Sequence, residues 1–544
     1  MFEIKGKLVD LSRSEIYPAA VVVENGVIAD VKRCEGAVDD QYILPGFVDA
    51  HVHVESSMTT PRNFAAKAVV HGTVAAICDP HEIANVCGVE GAEYMVEDGR
   101  KSQFKFFFGA SPCVPATSFE RTGATLDSSA VAEMLASPDY WFLSEMMNVP
   151  GVVYGDRECL AKLEAARKAG KPIDGHAPGV SGEQLKKYAS EGISTDHECT
   201  CQAEAEEKIE TGMMIAVREG SAAKNFEALK GLLASHPEKV MLCCDDLHPD
   251  DLQKGHINTI VKRALADGFN LFDVLRAASV NTVRHYGVPV GMLEKGDSAD
   301  FIVVDNLTDF NVKATYINGC KLAENGVSAL EGAKADPINN FVQNFITPSQ
   351  LELKANGGKI KVIEATDGSL LTGELHCQPL VEGGNAVADP GRDILKLVVM
   401  NRFVKGAVPA VAFIKGIGLK RGAIATSVAH DSHNVVAAGV SDEEIARAVN
   451  LVMQNKGAMV AVDGGSEKVL PLPVAGLMSD CSVDEVGEAY AYLTDMAREM
   501  GSPLKAPYMT MSFMSLLVIP ALKLSDLGLF DGNAFSFTEL ESFC

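Results

Sequence analysis

The sequence lacks any apolar run long enough to cross a membrane, and it has little positive charge. The most apolar stretch late in the chain, FMSLLVIPAL, is too short to span a bilayer and contains a proline. The N-terminal segment MFEIKGKLVD includes no apolar signal region, so we expect a cytoplasmic protein with no membrane partner. A formal net charge of -25 argues against a nucleic-acid partner, because neutralising phosphates requires clustered Lys and Arg.

The cysteines do not show the paired spacing of a structural zinc site. The sequence has 13 of them, an odd number, and without a secretory signal they indicate reduced thiols. Cys199 and Cys201 in ECTC are close in sequence, but no second close pair at zinc-finger spacing completes a thiolate site. Cys243 and Cys244 are typical of small core residues. We therefore interpret the cysteines as buried thiols rather than as ligands.

The chain is long enough for two or three domains, since it has 544 residues and is 47% hydrophobic. Residues 1–45 alternate in a strand-like way and contain a hairpin signal at Asn25 and Gly26. The same texture returns in KGDSADFIVVDNLTDFNVKATYINGCKLAENG. We expect residues 1–45 and 290–345 to form one small discontinuous β-sandwich domain.

Residues 46–289 have a different rhythm, in which short apolar segments alternate with stretches of helix-forming composition. Strands that alternate with helices predict a parallel sheet, and eight such units are typical of a (β/α)8 TIM barrel. The eight candidate strands are ILPGFVDAHVHV, TVAAICDP, FKFFFGAS, YWFLSEMM, KPIDGHA, ISTDHE, GMMIAVREG and VMLCCDD.

Residues 346–544 change character again and predict a separate α+β domain. Two helices there begin with capping-box signatures, Ser441 with Glu444 and Ser482 with Glu485. Strand-like segments such as ILKLVVMNR and GAMVAVDGG surround these helices.

The ends of the predicted barrel strands carry imidazoles and carboxylates. His51 and His53 lie two residues apart on the first strand, so they face the same side. Chemistry in a TIM barrel is located at these strand ends. A lone histidine is more often a hydrogen-bonded structural residue, but the order of these residues along successive strands favours a metal site. The set is larger than one four-coordinate ion needs and suits two ions about 3.5–4 Å apart, joined by a carboxylate and a water-derived ligand. Its later members are Glu145, His176, His197, Asp245 and Asp246.

The sequence resembles the adenine deaminase family of the amidohydrolase superfamily. PGFVDAHVHVESS with the later strand-end His, His and Asp is the superfamily pattern. HVHVESSM, CDPHEIANVCG, DGHAPG, DHE, CCDDLHPDDL and GLKRGAIATSVAHDSHNVVAAG are the strings that resemble the adenine deaminase family, and they extend over essentially the whole chain. The resemblance implies a binuclear site of Mn²⁺ or Fe²⁺, and the mixed donor set also accepts Zn²⁺.

Carried over by position, the resemblance implies a role for each metal-site residue. His51 and His53 would bind the more buried ion, and His176 and His197 the second. Glu145 matches the bridging position, where many relatives have a carboxylated lysine. Asp245 matches the last ligand and the proton shuttle, although its neighbour Asp246 is an alternative.

The implied activity is the hydrolytic deamination of adenine to hypoxanthine and ammonia. The extra domain and the many apolar residues favour a homodimer or larger homo-oligomer. Asp245 would take a proton from metal-activated water and return it to the ring or the leaving amine. Glu55 is a candidate for protonating a ring nitrogen, and equally a candidate for orienting a ligating histidine.

Further polar residues are tentative substrate contacts. Those after the second and seventh strands would line the base pocket or cap the next helices. The AHDSHN segment would reach over the barrel mouth or form a turn in its own domain. His256 and His285, in a predicted helix over residues 255–287, are interpreted as structural. The tentative set is His81, Glu82, Asn85, Arg218, Glu219, Ser221, Asp246, His430, Asp431 and His433.

Two other functions remain open at this point. One is a related amidohydrolase that acts on a different cyclic amidine or amide, which would have the same barrel. The other is a metal-free binding or assembly protein, which we disfavour because every ligand position is filled.

Overall fold

The computed structural model describes residues 1–332, 334 and 337–542. The chain begins with antiparallel strands in which β1 pairs with β2 and β2 with β3. Asn25 and Gly26 both have positive φ, 52° and 81°, which produces the predicted tight hairpin between β2 and β3. The first four strands are β1 (Phe2–Asp10), β2 (Glu15–Glu24), β3 (Val27–Arg33) and β4 (Tyr42–Pro45).

The next eight strands are parallel, short and almost completely buried. β5 to β9 pair in sequence, as do β10 to β12. Ser194 N donates to Ile173 O (2.9 Å) between the two groups, and Asp245 N donates to His51 O (2.9 Å) where the last strand meets the first. The eight strands therefore close into a ring, which confirms the TIM-barrel-like α/β fold. They are β5 (Phe47–Val52), β6 (Thr73–Cys78), β7 (Lys105–Ala110), β8 (Tyr140–Met146), β9 (Ile173–Gly175), β10 (Thr195–Asp196), β11 (Met214–Arg218) and β12 (Val240–Cys243).

Helices connect the barrel strands and cover them from outside. A typical one begins at Asp156, whose side chain accepts from Cys159 N, and ends at Gly170, with φ 66°. The helices are α1 (Pro61–Ala68), α2 (His81–Arg100), α3 (Ser128–Ala136), α4 (Val149–Tyr154), α5 (Arg157–Ala169), α6 (Gly182–Ser190), α7 (Gln202–Glu210), α8 (Phe226–Leu229), α9 (Leu232–Ser235), α10 (Pro249–Leu252), α11 (Ile257–Ala266), α12 (Leu271–Leu275) and α13 (Asn281–Tyr286). Short 3-10 turns lie at Val54–Ser57, Val69–His71 and Pro237–Lys239.

The predicted single helix over residues 255–287 is wrong in one respect. Gly268 has φ 88° and ends α11, and the Asn270 side chain accepts from Phe272 N and Asp273 N to start α12. A π-helical turn, Arg276–Val280, then leads into α13. The stretch is helical, but a left-handed glycine and a capping asparagine divide it.

Four strands after the barrel complete the N-terminal sheet. They join β1 to β4 in one hydrogen-bonded sheet of order β16-β15-β14-β13-β4-β1-β2-β3. In place of the predicted β-sandwich, the structure has a single eight-stranded sheet, formed by segments that precede and follow the barrel. This sheet has its own buried core, which includes Tyr17, Ile43 and Phe301. The four strands are β13 (Phe301–Val304), β14 (Val312–Ile317), β15 (Cys320–Glu324) and β16 (Val327–Ser328).

The C-terminal region combines a nine-stranded sheet with three helices. The sheet has the order β19-β18-β23-β22-β25-β24-β26-β27, and β31 pairs with β18. Its strands and those of two smaller sheets are β17 (Leu353–Lys354), β18 (Lys359–Glu364), β19 (Gly373–Cys377), β20 (Leu380–Glu382), β21 (Asn385–Val387), β22 (Leu395–Met400), β23 (Ala410–Lys415), β24 (Ala423–Thr426), β25 (Val435–Gly439), β26 (Ala458–Asp463), β27 (Ser466–Pro471), β28 (Leu522–Ser525), β29 (Gly528–Asp531), β30 (Ser536–Phe537) and β31 (Glu541–Ser542).

Two of the three C-terminal helices begin at the predicted capping residues, and the third follows Ala506, which provides no side-chain cap. Ser441 Oγ accepts from Glu444 N, and the reciprocal capping box of Ser482 and Glu485 is complete. The helices are α14 (Asp442–Gln454), α15 (Val483–Glu499) and α16 (Pro507–Ser512), with 3-10 turns at Pro348–Leu351 and Phe513–Ser515.

The C-terminal region is attached to the loops at the carboxyl ends of the barrel strands. Ser479 N donates to Met58 O (2.7 Å), just after β5. Arg121, in the loop after β7, pairs with buried Asp526 (2.8 Å). The region therefore covers the face of the barrel where the strand-end residues lie. Among the residues that the structure describes, no helix has both the length and the apolar character that crossing a membrane requires.

Candidate active site

His51 and His53 stand at the end of β5 and are both buried. Their Nε2 atoms are 3.2 Å apart. The carbonyl of Asp79 can only accept a hydrogen bond, so the 3.0 Å contact makes His53 Nδ1 the donor. With Nδ1 as the donor to a backbone carbonyl, His53 directs Nε2 at the common centre, where a neutral imidazole would offer its lone pair to a metal ion.

Glu145 occupies the middle of the histidine cluster. Its Oε1 lies 3.5 Å from His53 Nε2, and its Oε2 lies 2.9 Å from His176 Nδ1 and 3.2 Å from His197 Nε2. One carboxylate thus faces a histidine at the end of the first strand with one oxygen and histidines at the ends of the fifth and sixth strands with the other. This is the arrangement that the bridging role requires.

Asp245 follows β12 and completes the ring of strand-end residues. Its Oδ1 is 3.2 Å from His53 Nε2 and 3.7 Å from His51 Nε2. The Arg218 guanidinium donates to the other oxygen, Oδ2, and its Nη2 also donates to Glu198 Oε2 (2.8 Å). Asp245 has φ 58°, a left-handed conformation that aspartate tolerates and that turns its carboxylate back to the centre.

Burial and neighbouring charges act differently on these groups: nearby carboxylates raise the pKa of His53, His176 and His197 despite burial, whereas the pKa of His51 falls. Burial, with help from neighbouring histidines, lowers the pKa of His51 to about 3, so its imidazole is neutral. Burial alone would raise the pKa of Asp245 and of Glu145. The Arg218 guanidinium instead holds the pKa of Asp245 well below its usual range, and His176 and His197 do the same for Glu145.

Several groups of these side chains could hold a metal ion. Within each group the ligand atoms lie within 4.8 Å of one another. Neutral imidazole nitrogens and ionised carboxylate oxygens are the donors that divalent first-row metals accept. The described residues therefore include a His/Asp/Glu cluster that fits divalent metal ions, the cofactor class general to amidohydrolases. Two such groups are His51, His53 and Asp245, and His51, Glu145 and His197.

Asp49 fixes the seam between the first and last barrel strands directly below this cluster. Its Oδ1 accepts from His51 N (3.2 Å) and from Cys244 N (3.1 Å). Its Oδ2 is 2.9 Å from His256 Nε2, and His256 Nδ1 contacts Thr73 Oγ1 at 2.6 Å. His256 thus contacts the Asp49 carboxylate, which ties the ends of the first and last barrel strands together.

A second polar layer lies beside the first. The Asp79 carboxylate accepts two hydrogen bonds from His81. His81 Nδ1 donates to Asp79 Oδ2 (3.1 Å), and the His81 backbone N–H donates to Asp79 Oδ1 (3.1 Å). His81 Nδ1 also lies 3.3 Å from Glu145 Oε1, and its Nε2 lies 3.8 Å from Asp431 Oδ1. His81 therefore lies between the Glu145 carboxylate and Asp431 of the C-terminal region.

The AHDSHN segment reaches into the barrel mouth. Glu82, at the start of α2, contacts His430 with one carboxylate oxygen and His433 with the other. Burial would raise the pKa of Glu82, but His430, His433 and His81 hold it well below its usual range. In the described chain, His430 Nε2 and Asp431 Oδ2 have no hydrogen-bond partner although both atoms are buried. A buried polar atom without a partner at a cavity wall is available to a ligand.

These residues line an inner cavity. Its floor is polar and comes from the barrel, and its apolar wall comes mainly from the C-terminal region. The lining residues are His53, His81, Glu82, Glu145, Met147, His176, His197, Glu198, Arg218, Ala223, Asp245, Asp246, Leu370, His430, Asp431, Phe513, Leu516 and Val518.

Some sequence-predicted residues lie behind or outside the inner cavity. Glu219 pairs with Arg263 (2.8 Å), and Ser221 Oγ donates to Asp251 (2.8 Å), so both face away from the metal cluster. Asn85 donates to His81 O (3.0 Å), and His433 supports Glu82 from behind.

Glu55 also lies outside the residues that line the inner cavity. Its Oε1 accepts from Ile83 N (3.2 Å), and its Oε2 has no hydrogen-bond partner in the described chain. Burial raises the pKa of Glu55 to about 7. The protonated form is thus accessible near neutral pH, but the carboxyl is directed at the start of α2.

Sequence reasoning missed Glu198, Leu370 and Phe513. Glu198 follows His197 directly and lies 3.5 Å from its ring, so the DHE string carried a usable signal. Leu370 and Phe513 are apolar residues in a region with no catalytic motif, and only the folded chain brings them to the cavity.

Comparisons with known proteins agree with this arrangement. The model described as "Amidohydrolase family" matches residues 42–322, and "Adenine deaminase C-terminal domain" matches residues 369–536. The adenine deaminase of Salinibacter ruber is 53% identical over 99% of this chain and 98% of its own length. That of Methanosarcina barkeri is 50% identical over 98% of each chain, and that of Borreliella burgdorferi is 42% identical over 99% of this chain and 100% of its own. This chain therefore belongs to the adenine deaminase family of the amidohydrolases.

Proposed function

We propose that this protein hydrolyses adenine to hypoxanthine and ammonia in the inner cavity. One observation carries the proposal: the Glu145 carboxylate lies between histidines of opposite sides of the barrel mouth, with Asp245 beside it. Whole-length similarity to adenine deaminases supports the choice of substrate.

The residues present fit two divalent ions. His51, His53 and Asp245 would hold one, His176 and His197 the other, and Glu145 would be shared. The donor chemistry supports this, since the His51 imidazole is neutral and the carboxylates are ionised. When bound, such ions lower the pKa of water and so supply a nucleophile near neutral pH. The family resemblance favours Mn²⁺ or Fe²⁺, and Zn²⁺ suits the same donors.

Asp245 is the proposed proton carrier. Arg218 keeps it ionised in the resting protein, so it can accept a proton from the attacking water. It then returns that proton to the amine that leaves C6, so that adenine and water give hypoxanthine and ammonia. Asp246 is the weaker candidate, because its Oδ1 already accepts a hydrogen bond from Ser56 Oγ.

The inner cavity supplies contacts for a planar base. Met147, Leu516 and Val518 are apolar lining residues suited to the faces of a purine. The unpartnered His430 Nε2 and Asp431 Oδ2 suit its polar edge. Burial raises the pKa of Glu55 to about 7, so its carboxyl can be protonated near neutral pH. Because Glu55 Oε1 accepts a hydrogen bond from Ile83 N, we favour a role in positioning neighbouring groups over protonation of the purine ring.

The test is metal-resolved activity. The chelated protein is reconstituted with Mn²⁺, Fe²⁺ or Zn²⁺, and adenine loss and ammonia release are followed together. We expect adenine to be turned over far faster than adenosine, guanine, cytosine or hydantoin. Equal activity on hydantoin, or no ammonia with any metal, would contradict the proposal.

Further expectations accompany this function. We propose a homodimer or larger homo-oligomer located in the cytoplasm, and domain limits at residues 1–45 with 290–345, 46–289 and 346–544. Mass measurement in solution tests the first, and limited proteolysis tests the domain limits.

A further inference from the structure

Lys523, on β28, is a completely buried lysine without a carboxylate partner in the described chain. Its Nζ donates to two backbone carbonyls, Leu370 O (2.8 Å) and Phe513 O (2.9 Å). Burial lowers the pKa of Lys523 to about 7. Burying a lysine ammonium without a counter-ion has a large desolvation cost. The two hydrogen bonds to backbone carbonyls offset only part of this cost, so the position of Lys523 needs an explanation.

Both acceptors belong to residues that line the inner cavity. Leu370 and Phe513 also line an outer cavity that lies beside it. The outer cavity includes Lys224 and Leu371, and Leu371 is 60% exposed, so this space opens to solvent. Leu370 and Phe513 therefore form part of the partition between the inner cavity and the approach from outside.

The partition also touches the polar edge of the inner cavity. The Phe513 ring centre is 5.1 Å from that of His430, and Ser515 Oγ donates to His430 O (3.3 Å). A shift of the Phe513 segment would therefore displace His430 as well.

We propose that Lys523 is a positioning residue that holds Leu370 and Phe513 together as the apolar wall over the bound base. The inference rests on the proposed function only in naming adenine as that base. It predicts that loss of the ammonium weakens substrate binding and leaves the proton-transfer groups, which lie on the barrel, unchanged.

A second buried lysine provides the matched control. Lys396, on β22, donates to Leu351 O (2.8 Å) and to the Asp442 carboxylate (2.7 Å). It is as buried as Lys523 but has a counter-ion, and neither acceptor lines the inner cavity. Removing the charge of Lys396 leaves the Asp442 carboxylate without its partner. If Lys396 is purely structural, its loss should lower the stability of the fold and leave substrate binding unchanged.

The first measurement compares K523M with K396M as full-length, metal-loaded proteins. We expect K523M to raise the KM for adenine about tenfold with kcat within about twofold, and with unchanged metal content. Its melting temperature should hold, because methionine fills the same space without a buried charge. K396M should show the opposite pattern, a lower melting temperature with an unchanged KM.

Hydrogen exchange gives a readout that does not depend on turnover. In K523M, amides in residues 368–371 and 513–516 should exchange faster together, whereas those of β5 and β12 should not change. Unchanged exchange in a folded K523M with an unchanged KM would overturn the inference. If the unmodified protein does not deaminate adenine, the proposed function fails, and the exchange result still decides the role of Lys523.

Two more variants keep the test decisive should K523M fold poorly. K523Q keeps N–H donors on a shorter side chain, and we expect its KM to lie between those of the unmodified protein and K523M. F513L alters the wall without touching Lys523 and should raise KM similarly. An unchanged KM in F513L would contradict the inference, just as an unchanged KM in K523M would.

Discussion

The two halves of the inner cavity are built differently. The barrel half consists of ionised and hydrogen-bonded groups, each held by at least one further polar partner, as Asp245 is by Arg218. The C-terminal half is mostly apolar, and its wall depends on a few long-range contacts such as those of Lys523. We therefore expect changes in the barrel half to alter the rate of the chemical step, and changes in the C-terminal half to alter the affinity for substrate.

The largest effect is expected at Asp245. D245N keeps the shape of the side chain but removes the base, so kcat for adenine should fall about a thousandfold, as is typical when a general acid–base group is lost. Steady-state assays on protein of measured metal content test this. Near-normal deamination by a metal-loaded D245N would remove Asp245 from the mechanism.

A smaller effect is expected at Asp49, which aligns the candidate metal ligands without being one of them. D49N weakens the two hydrogen bonds that align His51 and Cys244 and the contact with His256. Metal affinity should fall about 10- to 100-fold, the range typical for groups that orient ligands. Competition with a chelator measures it.

Asp98 provides the control for D49N, because it is also buried but pairs with Arg62 away from the metal cluster. D98N should lower the melting temperature and leave the affinity for metal as it was. Equal metal loss in both variants would show that general destabilisation, not the seam, explains the D49N result.

On the C-terminal side, D431N should change binding alone. Asp431 Oδ2 is buried without a partner, and a hydrogen bond from a ligand to a charged group contributes about 1.5–3 kcal/mol. We expect the KM for adenine to rise about tenfold or more, with metal content unchanged. A fall in kcat with an unchanged KM would erase the contrast between the two halves.

The smallest effect concerns pH and stability. The pKa of Lys523 is about 7 in the folded protein and 10.5 without burial. Between these values the unfolded chain binds more protons, so the free energy of unfolding should rise with pH from about 7 upward. Urea unfolding of the unmodified protein and of K523M at pH 7 and pH 9.5 measures this. The unmodified protein should gain stability relative to K523M as pH rises, and a parallel response would contradict the shifted pKa.

The contrast between the halves also explains what the sequence could reveal. His51 lies on the buried strand β5 and His53 directly follows it. The other candidate metal-site residues stand at the ends of strands that alternate with helices, so local patterns were enough to predict their convergence. Glu219 and Ser221 also follow a strand, but the chain turns outward there and their partners, Arg263 and Asp251, lie far along the chain. A strand end alone does not tell on which side of the loop a residue falls.

The apolar wall offered no such pattern. Leu370, Phe513 and Lys523 lie in three separate segments, and only the packed C-terminal region joins them. A leucine or phenylalanine that lines a cavity has the same sequence signature as one in a core. The same holds for the outer cavity, which belongs to no single element.

The closure of the barrel brings the candidate metal donors together. His51 and His53 stand at the end of the first strand and Asp245 follows the last, and they meet only where the ring closes. A chain that ends before residue 245 has an incomplete set of these donors. Ions bound by the complete set would join the first strand to the last, and we expect a chelated protein to open at this join first.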